Sequence, residues 1–69
     1  MKLAKLIGKE IKARRKDLGL TQKDLEDFSG IKYSVISDIE NGKNFTIKSI
    51  EKLLDTLGLT LEVVVKNKL

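Results

Sequence analysis

The sequence predicts an all-α bundle of four to five short helices with a single C-terminal β-strand, and three observations lead there. Four stretches between residues 3 and 57 repeat apolar residues at helical spacing, and a glycine or an Asn-Gly pair follows each of them. Proline is absent, so nothing interrupts those stretches from within. Only residues 59–65, LTLEVVV, change the apolar period from 3.6 to two.

The first helix is expected over residues 3–17, with Leu3, Leu6, Ile7, Ile11 and Ala13 as its inward stripe, basic residues elsewhere and Gly19 as the end signal. Thr21 then stands before Gln22, Lys23 and Asp24. Its hydroxyl can accept from the first free amides, and Asp24 can return the bond in a capping box. Leu25 and Phe28 give this second helix its inward face, and Ser29-Gly30 closes it. The third helix begins near Lys32, with Ile31 just ahead and Val35, Ile36 and Ile39 turned inward. IENGK, residues 39–43, ends it, because Asn-Gly lets a chain leave a helix through a left-handed backbone position. Tyr33, Ser34, Ser37 and Asp38 are left outward, whereas Phe28, Val35 and Ile36 are expected in the core. Phe45 reads as a core plug beneath the next loop rather than a stacking platform. After Thr46, a cap by residue type, the fourth helix buries Ile47, Ile50, Leu53, Leu54 and Leu57 and stops at Gly58.

In the final segment Leu59, Leu61, Val63 and Val65 share one side, and Thr60, Glu62 and Val64 share the other. A lone ribbon leaves a row of backbone donors and acceptors unpaired. Pairing with the same segment of a second copy about a two-fold axis satisfies them, which predicts a homodimer joined through Leu59, Leu61, Val63, Val64 and Val65. The alternative is an extension lying over the chain's own helices.

Sixty-nine residues suit one domain, divided here into a helical part, 1–58, and a dimerisation strand and tail, 59–69. Cysteine and histidine are both absent, which removes disulfides, thiol nucleophiles, zinc-finger ligand sets and imidazole bases together. No cofactor or metal is implied. The N-terminus lacks an apolar leader and no window approaches a membrane span, so a cytoplasmic protein is expected. The formal charge of +4 is unevenly placed: residues 1–16 carry +6, residues 17–42 carry −4 and residues 43–69 carry +2. A basic first segment and tail could bind a polyanion, although such charge also serves as an ordinary solvated surface. Lys9, Lys12, Arg14 and Lys16 fit that general field better than any direct contact.

Residues 21–41 thus form a short helix, a glycine turn and a second short helix whose outward side is small and polar. GLTQKDLEDFSGIKYSVISDIENGK, residues 19–43, resembles the lambda-repressor-like helix-turn-helix domain, the Cro-type or XRE family. Gly19, Leu20, Thr21, Gln22, Leu25, Gly30, Ile31, Ser34, Ile36, Ser37, Ile39, Glu40, Asn41 and Gly42 fall on the family pattern, as does ARRKDLG before it. The likeness covers residues 5–58, and with TLGLTLEVVV it is most similar to HipB-like antitoxin regulators, which dimerise through a strand after the last helix. The resemblance implies that Gln22 contacts a DNA phosphate with Lys23 beside it, that Lys32, Tyr33, Ser34, Ser37 and Asp38 form the reading surface, and that Asn41 and Lys43 touch the backbone. It also implies an ion pair between Arg15 and Glu40 that locks the first helix to the third.

Four departures stand out. Glu26 replaces the small residue usual in that family, so it must lean out or find a polar partner. Lys32 replaces the capping Ser or Thr. Asp38, a carboxylate near phosphates, needs a cytosine amino group, Lys43 or Gln22 to answer it. The loop after Lys43 is one residue short and lacks its usual proline.

The leading expectation is a dimeric, sequence-specific repressor of its own promoter on a palindromic operator in double-stranded DNA, with a HipA-like kinase toxin as a second partner if the antitoxin likeness extends that far. A stand-alone phage-type repressor and a protein-interaction module are the alternatives, the latter supported by the acidic middle segment. An enzyme is not expected, because no positioned base accompanies the serines and Gly42-Lys43 lacks the remainder of a phosphate loop.

Overall fold

Four helices follow one another in the computed structural model: α1 (Lys2–Asp17), α2 (Gln22–Ser29), α3 (Tyr33–Glu40) and α4 (Ile47–Leu57). The structure describes residues 2–43 and 46–67, so the placement expected for Phe45 lies outside the described residues. α1 packs across α3 and α4, and α2 rests on the same two helices. Between them Ile7, Ile11, Leu25, Ile36, Ile39, Ile50, Leu53, Leu54 and Leu57 form one core, flanked by Leu20, Ile31, Val35 and Leu59. Each fully buried Ile or Leu contributes about 1.5–3 kcal/mol relative to exposure, which makes this cluster the main support of the fold.

The helix ends follow the local chemistry of the sequence. The Thr21 hydroxyl accepts from the Asp24 amide at 3.0 Å, and the Asp24 carboxylate accepts from the Thr21 amide at 2.9 Å, closing the expected capping box. The Thr21 amide above all, with the Thr21 side chain adding to it, holds the Asp24 carboxyl below its ordinary value. This contribution is therefore present at neutral pH and disappears as the pH falls through that depressed value. Gly30 and Gly58 end α2 and α4 in left-handed conformations. α4 gains a further cap from α1, because the Arg14 guanidinium donates from Nε to the Leu57 carbonyl at 2.9 Å. Arg14 thus has a structural contact in addition to the charge it adds to the basic first segment.

Several large apolar residues stand outside the core that the spacing assigns to them. Leu3, Leu6 and Ala13 are exposed, whereas the expected Ile7 and Ile11 are buried, with Ala4, Gly8 and Arg15 beside them. Phe28 is 68% exposed, while its neighbour Ser29 is buried, and Ile47 is also exposed. The cause at α1 is a close helix crossing: a Cβ on Gly8 would collide with the Ile39 carbonyl oxygen and stand 3.0 Å from that of Glu40. Small residues must face α3 there, which turns the leucines outward.

Residues 59–66 form no strand in this chain, and there is no strand among the described residues. The Leu59 amide donates back to the Leu54 carbonyl at 2.8 Å and its side chain is half-buried against the core. Beyond it Leu61, Val63, Val64 and Val65 are all exposed. A strand needs backbone partners, and within one chain the described residues supply none to this segment. The period of two is real in the sequence but does not select a covered side here.

Candidate nucleic-acid interface

α3 is held at both ends by acidic side chains. At its C-terminal end Arg15 grips Glu40 through two parallel bonds, Nε to Oε2 at 2.7 Å and Nη2 to Oε1 at 3.0 Å. The remaining guanidinium nitrogen, Nη1, donates to the Leu20 carbonyl at 2.7 Å. Both side chains are nearly closed to solvent, at 8% and 2% exposure, and no buried side-chain polar atom among the described residues lacks a partner. The Glu40 hydrogen bonds raise the Arg15 pKa above its already high value, against the burial that lowers it. One arginine thereby fixes α1, the entry to α2 and the end of α3 together.

Gln22 joins this network. Its amide nitrogen donates to Glu40 Oε1 at 3.1 Å, which ties the first residue of α2 to the last of α3. A primary amide has two N–H donors, so one remains for an outside acceptor.

The N-terminal end of α3 is held by Glu26. Lys32 occupies the N-cap without a side-chain bond to the helix, and the Tyr33 amide donates instead to Glu26 Oε1 at 3.0 Å. Lys23 lies 3.8 Å from the same carboxylate oxygen, and its ammonium sits 5.2 Å from the centre of the Tyr33 ring. Two departures from the family pattern therefore compensate each other: the cap missing at position 32 is supplied across the turn by the carboxylate at position 26. Replacing Glu26 by Ala is expected to lower stability by about 1 kcal/mol, the usual worth of a helix cap. Adding Lys32→Ser to that variant should recover most of the loss, and thermal denaturation of the two proteins checks both statements.

Between these anchors α3 presents an uncovered polar side. Lys32, Tyr33, Ser34 and Asp38 are exposed and Ser37 is half-buried. No ion pair of Asp38 occurs among the described residues, and Gln22 turns to Glu40 rather than to it. Asn41 folds its side chain back, donating from Nδ2 to the Ser37 carbonyl at 2.9 Å. Gly42 has φ 72°, and a Cβ there would stand 2.7 Å from Lys5 Cγ, so both its backbone conformation and its contact with α1 require glycine. The exit is completed by the Lys43 amide, which donates to the Asp38 carbonyl at 2.8 Å and leaves the lysine side chain exposed.

A short helix, a turn through Gly30 and a second short helix with an open polar side make up the candidate interface, and residues 11–64 match the helix-turn-helix family. The chain belongs to the helix-turn-helix family. Relatives of this helix-turn-helix protein include an uncharacterized HTH-type transcriptional regulator of Haemophilus influenzae, 44% identical over 57 residues, which are 81% of this chain and 58% of the relative. Another is an uncharacterized HTH-type transcriptional regulator of Sinorhizobium fredii, 33% identical over 61 residues, 87% of this chain and 79% of the relative. The helix-turn-helix chain therefore spans less than two thirds of the length of the Haemophilus protein.

Sequence reasoning singled out Arg15, Glu40 and Gln22 but not the bond that joins Gln22 to Glu40. It had Glu26 either lean out or find a polar partner, without naming the Tyr33 amide. The contact of Arg14 with Leu57 had no local signal, because donor and acceptor lie 43 residues apart. Gly8 did leave one: a glycine inside a helical pattern costs about 1 kcal/mol against alanine and usually has a packing reason.

Proposed function

We propose that this helix-turn-helix protein is a sequence-specific double-stranded DNA-binding transcriptional regulator that represses its own promoter as a homodimer on a palindromic operator. The observation that carries this reading is the open polar side of α3 on a helix fixed at both ends, by Arg15 and Glu40 at one and Glu26 at the other. Both relatives named above are transcriptional regulators of this type. A major groove about 12 Å wide admits one helix, and small side chains at Ser34 and Ser37 allow close approach. In this reading Lys32, Tyr33, Ser34, Ser37 and Asp38 meet base edges, Asp38 by accepting from a cytosine amino group. Gln22, Lys23, Asn41 and Lys43 hold phosphates on either side. Repression follows from occlusion of promoter DNA and needs no catalytic group.

The dimer reading assigns residues 1–58 to DNA and residues 59–69 to pairing. Its support is uncovered apolar surface: Val63, Val64 and Val65 are exposed, and Leu61, itself exposed, lines a groove together with Ile7, Ile47, Ile50 and Leu54. Two copies joined there would place two α3 helices in successive major grooves about 34 Å apart. Replacing Val63 and Val65 by Asp is expected to give a monomer by sedimentation with α-helical content unchanged. Affinity for the palindrome should then fall about 100-fold or more, since the second half-site no longer binds in concert. A wild-type chain that sediments as a monomer while binding its operator tightly would overturn the dimer.

The DNA reading is tested by selecting binding sites from random duplexes and repeating the measurement over a salt series. Preference for one palindrome with steep weakening by salt supports it, and equal, weak binding to all duplexes overturns it. The HipB-like resemblance extends the proposal to a kinase-type toxin as protein partner. Co-expression with a HipA-like kinase encoded beside this chain should yield a stable, non-toxic complex, and a kinase that remains free and toxic leaves a stand-alone repressor.

A further inference from the structure

The helix pair proposed to read DNA is itself acidic. With Glu40 set aside against Arg15, residues 21–41 carry Asp24, Glu26, Asp27 and Asp38 against Lys23 and Lys32. A polyanion approaching that surface meets a repulsive local field, so the attraction has to come from elsewhere on the chain.

α1 holds the matching feature. Lys2, Lys5, Lys9, Lys12 and Lys16 recur at intervals of three and four, are all exposed, and enter no ion pair among the described residues. At 3.6 residues per turn they fall within an arc of about 80°, and the two acidic residues of α1, Glu10 and Asp17, lie about 100° or more from its centre. The arc adjoins the side of α1 that meets α3. Gly8 and Arg15, on that flank, touch Ile39 and Glu40, whereas Arg14, on the other, caps α4. Lys5 lies directly against Gly42, one residue before Lys43, so the ridge begins where α3 leaves the interface. From Lys2 to Lys16 it runs about 21 Å at 1.5 Å per residue. Measured along a duplex axis, that length corresponds to about six base-pair steps at 3.4 Å each.

We propose that this lysine ridge on α1 is a second DNA-binding surface, one that tracks the phosphate backbone flanking the bases addressed by α3. The inference rests on the DNA-binding reading above and adds a site to it. The ridge supplies the affinity that the acidic helix pair lacks, and α3 supplies the choice of sequence.

The test uses the duplex that the wild-type chain selects from a random pool, prepared with its flanks and also trimmed to the selected bases. The double variant Lys9→Gln, Lys12→Gln keeps Lys5 in its contact with Gly42. On the flanked duplex its slope of log K against log salt should be shallower by about 1.8, two phosphate contacts at about 0.9 each, with base preference intact. On the trimmed duplex the two proteins should converge. The double variant Lys48→Gln, Lys52→Gln removes the same charge from exposed positions of α4 and should leave the slope unchanged. Equal losses from both double variants would mean a diffuse field and overturn the ridge, as would an unaltered slope for the α1 pair. A wild-type chain that binds no duplex removes the DNA reading and the ridge together. Binding with an unaltered slope removes the ridge alone.

Discussion

Replacing Gly8 by Ala is expected to destabilise the protein by about 2 kcal/mol or more, although alanine is favoured over glycine in a helix interior by about 1 kcal/mol. The added methyl group would drive into the Ile39 carbonyl oxygen and approach the Glu40 carbonyl carbon to 3.1 Å. These are backbone atoms of α3, so no side-chain rotation relieves the clash and the two helices must separate. Separation also strains the bidentate bond between Arg15 and Glu40, which spans the same pair of helices two turns further along α1. Unfolding in urea measures the effect. A variant as stable as the parent would mean that α1 and α3 do not cross this closely. Because Gly8 lies away from the outward side of α3, base preference should survive in whatever fraction remains folded.

The Arg15 and Glu40 pair carries the larger expected cost. Glu40→Ala leaves a guanidinium enclosed without its carboxylate, and breaking a buried pair in this way costs about 3–5 kcal/mol. Domains are stable by about 5–15 kcal/mol in total, so the variant should be largely unfolded at elevated temperature. Removing both charges, as Arg15→Met with Glu40→Leu, should cost much less than the sum of the two single changes. A double-mutant cycle by chemical denaturation reads the coupling directly, and additive losses would show that the pair is not a unit. The single change at Glu40 also releases the Gln22 amide, so the double variant should recover stability without recovering the orientation of Gln22.

The contrast between Leu3, Leu6 and Phe28 on one side and Ala4, Gly8 and Ser29 on the other shows what the sequence conveyed and what it hid. Helix positions, the capping box at Thr21 and the pairing of Arg15 with Glu40 were all legible, because each depends on residue type at a fixed local spacing or on a specific family pattern. The inward face was misread where helices approach closely. At α1 the crossing beside Gly8 admits only small residues, so Leu3 and Leu6 stand at the surface while Ile7 and Ile11 are buried as expected. At α2 the spacing gave no sign that Ser29 rather than Phe28 would be covered. The strand expected at residues 59–65 does not form within one chain, for a different reason. Alternation records which side chains could be covered together, whereas strand formation depends on backbone partners that one chain does not provide.

The arrangement at Glu26 has a consequence for anyone wishing to retarget this protein. In a recognition helix started by its own serine or threonine, the first position of the reading surface is also a folding residue and tolerates little change. Glu26 carries the starting bond from a neighbouring helix, which relieves position 32 of that duty. Libraries randomised at Lys32 should therefore remain folded across most substitutions, which frees a position of the proposed reading surface for variation.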